Sequence, residues 1–435
     1  MKRLKSIYFL LFIFLLSKLK CSNKYNKEMN FVIEFNDTYK KKTLYENYKY
    51  LKNDDNYIFK NSPREKNDSN PTFEILNNGS FISWPNDTYN NNSNFNNCSI
   101  FLSIISFEFD EDNNIYLLDE GNKYINCPIN LYKFNSEGHL LNKYNIYERY
   151  NQNISLNDFV IDKINNYFYI PFTNFSVNEY KVGIFVREID KKEEEFNAKT
   201  IILNDKKFLF EEKYNLLDTL MKFNNSNELI LEKKIINIAL SCDGKYLLLC
   251  PLSSRMIYSV ATNKIRDLNS EISFSDVKEA YKNDASSALI SSNMGNLYLT
   301  GLEQNIIYMA GQIDYDLSIF DFKILDKIGS NDIGYPTKLY ITDGNLYIIY
   351  KNIINENISN NIDINNNIDL KVNTKIYQIE INKEKSYIYK CGGLGYKWNW
   401  KAYIVWGIFS LIFILILTFV FIANWQDQYI NKKNN

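Results

Sequence analysis

Residues 238–249 read Ile238-Ala-Leu-Ser-Cys-Asp-Gly-Lys-Tyr-Leu-Leu-Leu249. An alternating apolar run meets a second one across Asp243-Gly244, the period-two pattern and turn chemistry of a β-hairpin. The same figure recurs on both sides. Ser106-Phe107-Glu108-Phe109 faces Ile115-Tyr116-Leu117-Leu118 across Asn113-Asn114, and Phe159-Val160-Ile161 faces Tyr167-Phe168-Tyr169-Ile170 across Asn165-Asn166. Ser287-Ala288-Leu289-Ile290 faces Leu297-Tyr298-Leu299 across Met294-Gly295, and Leu339-Tyr340-Ile341 faces Leu346-Tyr347-Ile348-Ile349 across Asp343-Gly344. The turns near 113, 165, 243, 294 and 343 are separated by 52, 78, 51 and 49 residues. A repeat of about 50 residues holds one four-stranded propeller blade.

Five repeats are visible. A sixth can be assembled from Lys375 to Ile381, Ser386 to Tyr389 and a strand of the N-terminal arm, closing the ring and removing exposed sheet edges. The long step carries an inserted segment, with a charged run Lys191 to Glu195 and an amphipathic pattern of Phe210, Tyr214, Leu217 and Met221. The expectation is an all-β, six-bladed β-propeller over residues 95–391, with two unrelated β-sandwiches as the alternative.

Charge and composition narrow the function. Lys and Arg total 50 against 51 Asp and Glu, so no basic excess is available to displace counterions from a nucleic acid. The chain has a single histidine, His139, which disfavours a histidine-based triad, a His-rich zinc site or a His-ligated haem. No cofactor and no metal site is expected.

The two ends carry targeting signals. Residues 1–22 have the form of a secretory signal, with Lys2, Arg3 and Lys5 before a short apolar run from Ile7 to Leu16. Residues 402–423 contain no charge and would span roughly 33 Å as a helix. Trp398, Trp400 and Trp406 lie at one end of this run and Trp425 at the other, as in interfacial belts. A cleaved signal and one late span predict a type I membrane protein of the secretory pathway, resident in the endoplasmic reticulum or at the cell surface. Its cytoplasmic tail is residues 424–435. Lys432 and Lys433, fourth and third from the carboxyl end, match a dilysine retrieval signal.

Sequons at Asn36, Asn67, Asn78, Asn86, Asn97, Asn153, Asn174, Asn224 and Asn357 fit a lumenal or extracellular body, that is, a glycoprotein. Residues 23–94 read as a polar, Asn-rich arm that lends strands to the body, with strand-like pieces at Thr72 to Leu76 and Ser80 to Trp84. A second Asn-rich tract, Asn352 to Asn367, reads as an expanded loop.

Several segments resemble the yellow/major royal jelly protein family over about residues 100–352. Asn114-Ile-Tyr-Leu-Leu-Asp119-Glu-Gly121 followed by Cys127-Pro128-Ile129 is similar to its first-blade signature, and Ile238 to Val260 to its central one. Ser286-Ser-Ala288, Leu297-Tyr-Leu-Thr-Gly301-Leu302 and Tyr335-Pro-Thr-Lys-Leu339 resemble later blades. The resemblance implies a six-bladed propeller of a family whose members are typically secreted. Some are similar to dopachrome-converting factors and some bind biogenic amines. The family's first-blade cysteine would fall near Asp112, which leaves Cys127 in need of another partner, with Cys98 the nearest candidate. Cys242 and Cys250 would stand roughly 16 Å apart in the Asp243-Gly244 hairpin, too far to bridge.

In the amine-binding branch, a Thr matching Thr337 and an Asn at the position of Lys351 line the central cavity. Lys351 would repel a cationic amine there, so a neutral or anionic ligand is expected. Asp119 is a third candidate ligand-binding residue. Against the metal-dependent lactonases, Ile236 and Pro251 occupy positions where ligands should be, and neither can coordinate a metal. The expected function is a membrane-anchored propeller that binds a protein partner or a small ligand without catalysis. A dopachrome-converting type of enzyme and a structural or trafficking component of the secretory pathway are the alternatives.

Overall fold

The computed structural model of the chain describes residues 29–381 apart from connections at 39–46, 52–56, 62–71, 78–79, 91–97, 123–125, 148–153, 176–179, 190–198, 204–235, 252–254, 268–271, 273–275, 283–285, 303, 311–321, 329–333, 343 and 355–370, together with Thr418 and Ile422. Its strands form six antiparallel sheets. Blade one is Asn47–Leu51, Tyr57–Asn61, Phe73–Asn77 and Ser80–Ser83. Blade two is Ile104–Phe109, Ile115–Asp119, Ile129–Phe134 and Leu140–Tyr147. In blade three the inner strand is split into Ile154–Leu156 and Val160–Asp162, both paired to Tyr167–Phe175, which is followed by Tyr180–Glu188 and Lys199–Leu203. Blade four is Ile236–Leu240, Tyr246–Pro251, Met256–Ala261 and Val277–Lys282. Blade five is Leu289–Ser291, Leu297–Gly301, Ile306–Ala310 and Phe322–Lys327. Blade six takes Gly334–Thr342, Asn345–Ile354 and Lys371–Glu380 from the C-terminal side and Asn30–Thr38 from the N-terminal side as its outer strand.

The five hairpins legible in the sequence are the inner pairs of blades two to six. Their turns depend on a residue in the left-handed region, supplied by Asn113, Asn166, Gly244, Gly295 and Gly344. Glycine and asparagine reach that region at least cost. The amides of Asn113, Gly244 and Gly295 donate back to the carbonyls of Asp110, Ser241 and Ser292 at 3.0, 2.8 and 2.9 Å. A Cβ at Gly244 would lie 2.7 Å from the Asn165 side-chain nitrogen of the adjacent blade, which would have to move aside.

The expected six-bladed propeller is present, but its sixth blade is not made as the sequence pattern implied. The N-terminal arm builds all of blade one as well as the closing strand, so the ring begins at Asn30 and not near residue 95. The closing strand pairs with the third strand of blade six from Asn30 opposite Gln378 to Thr38 opposite Lys371. Ser386 to Tyr389, the Phe210 to Met221 pattern, the signal segment and Lys432 and Lys433 lie outside the described residues. Of the 402–423 run only Thr418 and Ile422 are described, both helical. No helix among the described residues is long and apolar enough to cross a membrane.

Aromatic side chains fill the wedges between blades. Phe73 of blade one packs edge-on against Phe107 of blade two at 5.0 Å, and Tyr144 of blade two against Phe168 of blade three at 5.0 Å. Side chains of this size bring large buried area to gaps that widen outward. Polar contacts also join neighbouring blades. Asn61 donates to the Ile104 carbonyl at 3.0 Å, Asn157 to Asn237 at 3.2 Å, Asn237 to the Ser286 carbonyl at 3.0 Å, and Asn305 to the Tyr350 hydroxyl at 3.2 Å. The expected Cys98–Cys127 disulfide is formed, packed with Ile100 and Leu102. Cys250 is a buried free thiol and so is not bridged to Cys242. Cys242 is disulfide-bonded to a cysteine outside the described residues.

Candidate functional site at the ring axis

The inner strands converge on the axis, and three of them are irregular there. Blade two has a bulge at Ile105, between Ile104 opposite Asp119 and Ser106 opposite Leu118. Blade six has one at Thr337, between Pro336 opposite Tyr350 and Lys338 opposite Ile349. In blade three, residues 157–159 oppose only two residues of the neighbouring strand. An extra residue re-aims the side chains that follow it. Here the re-aimed side chains are polar: Ser106, Asp158 and Lys338.

These three meet. The Ser106 hydroxyl donates to Asp158 Oδ1 at 2.5 Å, and the Phe159 amide donates to the same oxygen at 3.0 Å. The Lys338 ammonium donates to Asp158 Oδ2. Asp158 and Lys338 are each only 7% exposed. Blades three and six stand opposite each other in a ring of six, so the ion pair crosses the axis. Glu108 lies beside it, and Ala239, Ala288 and Leu339 belong to the apolar wall. The cavity left over is about 10 Å³, roughly the space of one water molecule.

The chemistry open to this arrangement is narrow. Both oxygens of the Asp158 carboxylate accept hydrogen bonds, Oδ1 from Ser106 and the Phe159 amide and Oδ2 from Lys338. The Lys338 amine is directed at that carboxylate and not at open space. Catalysis at the axis would first require the pair to open.

The residues singled out from the sequence fall elsewhere. Asp119 is fully buried at the end of the second strand of blade two. It accepts hydrogen bonds from the amides of Leu102, Ser103 and Gly121 at 2.9, 2.8 and 3.0 Å. Thr300 does the same in blade five for the amides of Ser287 and Ala288 at 3.0 and 3.1 Å. Asp119 thus pins the chain entering its blade, in the manner of its counterpart Thr300. Thr337 is the bulged residue itself and donates to the Ile349 carbonyl at 3.3 Å. Lys351 sits in the second strand of blade six, buried, between Tyr335 and Thr374 in the ladder. None of the three lines the axial cavity. The lysine at the axis is Lys338, adjacent to Thr337, and it comes with Asp158 and Glu108. The electrostatic argument against cationic ligands, built on Lys351, therefore gives way to a steric one. Ile236 and Pro251, placed against the lactonase ligands, face each other in the ladder of blade four. Among the described residues no group of three or more His, Cys, Asp or Glu side chains is placed to hold a metal ion.

The axial pair had one signal in the sequence: a charged residue of opposite sign in each of two inner-strand segments, Asp158 before Phe159 and Lys338 before Leu339. Nothing in a single sequence says that the third and sixth blades present them to one another.

The sequence matches no protein-family model and no curated protein. Among solved structures, the chain is similar to a luciferin-regenerating enzyme (10% identity, 76% of this chain and 89% of that one, TM-score 0.41). It is also similar to an α-L-arabinofuranosidase from Fusarium graminearum (9% identity, 80% and 97%, TM-score 0.44). A third similar structure is a calcium-binding regucalcin from Agrobacterium tumefaciens (10% identity, 76% and 89%, TM-score 0.37). None of the three is a yellow-family protein, and at these identities they carry nothing about activity. Of the resemblance noted in the sequence, the sheet pairing establishes the six-bladed β-propeller on its own.

Proposed function

We propose that the protein is a membrane-anchored propeller of the secretory pathway that binds a protein partner on its outer surfaces and performs no chemistry at its axis. The observation that carries this reading is the Asp158–Lys338 pair, which stands at the axis and lines a cavity with room for about one water. Small-molecule propeller sites need an open axial pocket lined by convergent polar groups; here the polar groups satisfy one another. The apolar run at 402–423 supports the anchor, and the signal-like segment and the sequons support a lumenal or extracellular body. The Lys432-Lys433 pair supports retrieval to the endoplasmic reticulum. A kinship with the yellow family beyond the fold belongs to this proposal as well, supported by the order of the blade signatures.

The test is crosslinking of the full-length protein in its native membranes, followed by mass spectrometry, with ligand extraction run in parallel. The expected result is crosslinks from propeller lysines to one recurrent protein and no stoichiometric small molecule. A small molecule co-purifying at one per chain, or turnover of an aminochrome by the purified protein, would overturn it.

A further inference from the structure

The strand pairing fixes the edge of the ring at which the chain leaves it. In blade six the inner strand ends at the tight turn held by Gly344, and the second strand starts from Asn345. The third strand runs antiparallel to the second, with Asn345 opposite Glu380, so the chain returns to the tight-turn end. The Ile381 amide there donates to the Gly344 carbonyl at 2.7 Å. The closing strand starts at the same end, with Asn30 opposite Gln378. Both ends of the ring-forming chain thus lie at the face made by the tight turns. Residues 382–401 connect Ile381 to the apolar run. A connection of that length spans at most about 70 Å even fully extended, so the edge from which the chain leaves is the part of the ring nearest the anchor along the chain.

The tight-turn face has a second peculiarity. Turn tips are normally polar, yet blade three presents Ile164 at its tip, 60% exposed, and blade five presents Met294, 38% exposed. The tip of blade four lies between them. It is joined to blade three by the Asn165 side chain donating to the Gly244 carbonyl at 3.3 Å, and to blade five by Ser291 donating to the Leu240 carbonyl. Among the described residues the other exposed large apolar side chains of the ring, Ile82, Leu140, Leu141 and Ile324, are on outer strands around the rim. Charge on the tips is mixed, with Glu111 and Asp112 on blade two against Lys163 and Lys245 on blades three and four. The face has the makings of short-range apolar contact and not of attraction to anionic lipid.

We propose that the tight-turn face is the bilayer-facing side of the propeller. Ile164 and Met294 rest in the interfacial layer of the membrane that holds the chain's own anchor. The opposite face, which carries the connections between second and third strands, is turned outward for a partner. This rests on the anchored reading above. Burying two apolar tips adds modestly to a contact that attachment to the anchor through the same chain already makes local.

The test places the full chain in phosphatidylcholine nanodiscs containing nitroxide-headgroup lipid. A fluorophore is attached at Ile164→Cys, at Met294→Cys, or at Gln304→Cys, an exposed position in the connection between second and third strands of blade five. The expected result is loss of fluorescence at 164 and 294 and retention at 304. Retention at 164 and 294 with the protein incorporated, equal loss at all three sites, or loss at 304 alone would overturn the orientation while leaving the anchor intact. A chain that does not incorporate into nanodiscs would overturn the anchored reading, and the orientation with it.

Discussion

Asp158 and Lys338 are 180 residues apart in the chain and meet across the middle of the ring, from blades that oppose each other. A contact of this kind ties the two halves of the propeller directly, in addition to the contacts between neighbouring blades. A buried pair is costly to break and cheap to replace, because the charge left behind is what destabilises. Lys338→Met should therefore cost about 3–5 kcal/mol, while Asp158→Leu combined with Lys338→Met should recover most of the loss. Urea unfolding of the single and double variants checks this. A single variant within about 1 kcal/mol of the parent would mean that Ser106 and the Phe159 amide suffice for Asp158.

A second carboxylate reports through pH. Asp110 is buried at the tip of blade two. Burial alone would raise its pKa. The Asn114 side chain and amide, with the charges of Lys163 and Lys133, outweigh burial and hold it below 3.8. A lowered folded-state pKa stabilises the protein above the unfolded value, and that stabilisation is lost as pH falls through the folded one. The stability gap between the parent and Asp110→Asn should thus be constant from neutral pH down to about 4 and close below 3.8. Denaturation midpoints of both proteins across that range check it. A gap that closes above pH 5 or widens in acid would contradict the assignment.

These two carboxylates also mark what was legible in the sequence. Asp110 sits in a hairpin turn whose pattern of apolar runs and Asn-rich link gave away the blade. Such local chemistry is written in neighbouring residues, and five of the six inner hairpins were readable for that reason. Blade one was not, because Asn47–Leu51 and Tyr57–Asn61 are short and set among Asn, Asp and Lys, so their composition resembles that of an arm. Only pairing with distant strands makes them a sheet. The axial site failed for a stronger version of the same reason. Thr337 was noticed and its neighbour Lys338 was not, since the bulge that turns Lys338 inward and the Asp158 that receives it are both products of the closed ring. Asp119 was conspicuous as a charge at a strand end. Its three amide donors come from Leu102, Ser103 and Gly121, which the hairpin pattern alone does not place beside it.

The cysteines allow a redox prediction. Cys98 and Cys127 close a loop with a sequence separation of 29. In the chain-entropy picture that is worth roughly 3–4 kcal/mol, so the Cys98→Ser, Cys127→Ser protein should unfold at correspondingly lower urea. Cys250 behaves oppositely. Complete burial pushes its thiol up to about 12, against a small lowering by Ser286. It should resist alkylation in the folded protein and react only on unfolding. Peptide mapping without reduction, after iodoacetamide treatment of native protein, reads both. Labelled Cys250, or a peptide joining Cys242 to Cys250, would show that the hairpin is paired differently.

The sequons separate on structural grounds. An N-linked glycan is attached through the side-chain nitrogen, leaving the oxygen free to accept. Asn86 is exposed, and its Oδ1 accepts from the amides of Thr88 at 2.9 Å and Tyr89 at 3.3 Å at the start of the short helix Asp87–Asn90. A glycan on its nitrogen would leave that cap in place. Asn174 lies in the second strand of blade three, opposite Ile154 on one side and Lys181 on the other, with its Oδ1 buried. A glycan there would have to extend from a half-buried side chain between two paired strands. If the propeller matures in the secretory pathway, Asn86 should carry a glycan and Asn174 should not. Enzymatic deglycosylation in heavy-oxygen water, followed by peptide mass spectrometry, marks each occupied site. Asn86→Gln should lose one glycan's worth of mass and about 1 kcal/mol or less of stability, since glutamine is a poorer cap. Occupancy at Asn174 with Asn86 bare would contradict the burial argument, while absence of the mark at every sequon would remove the support they give to a lumenal body.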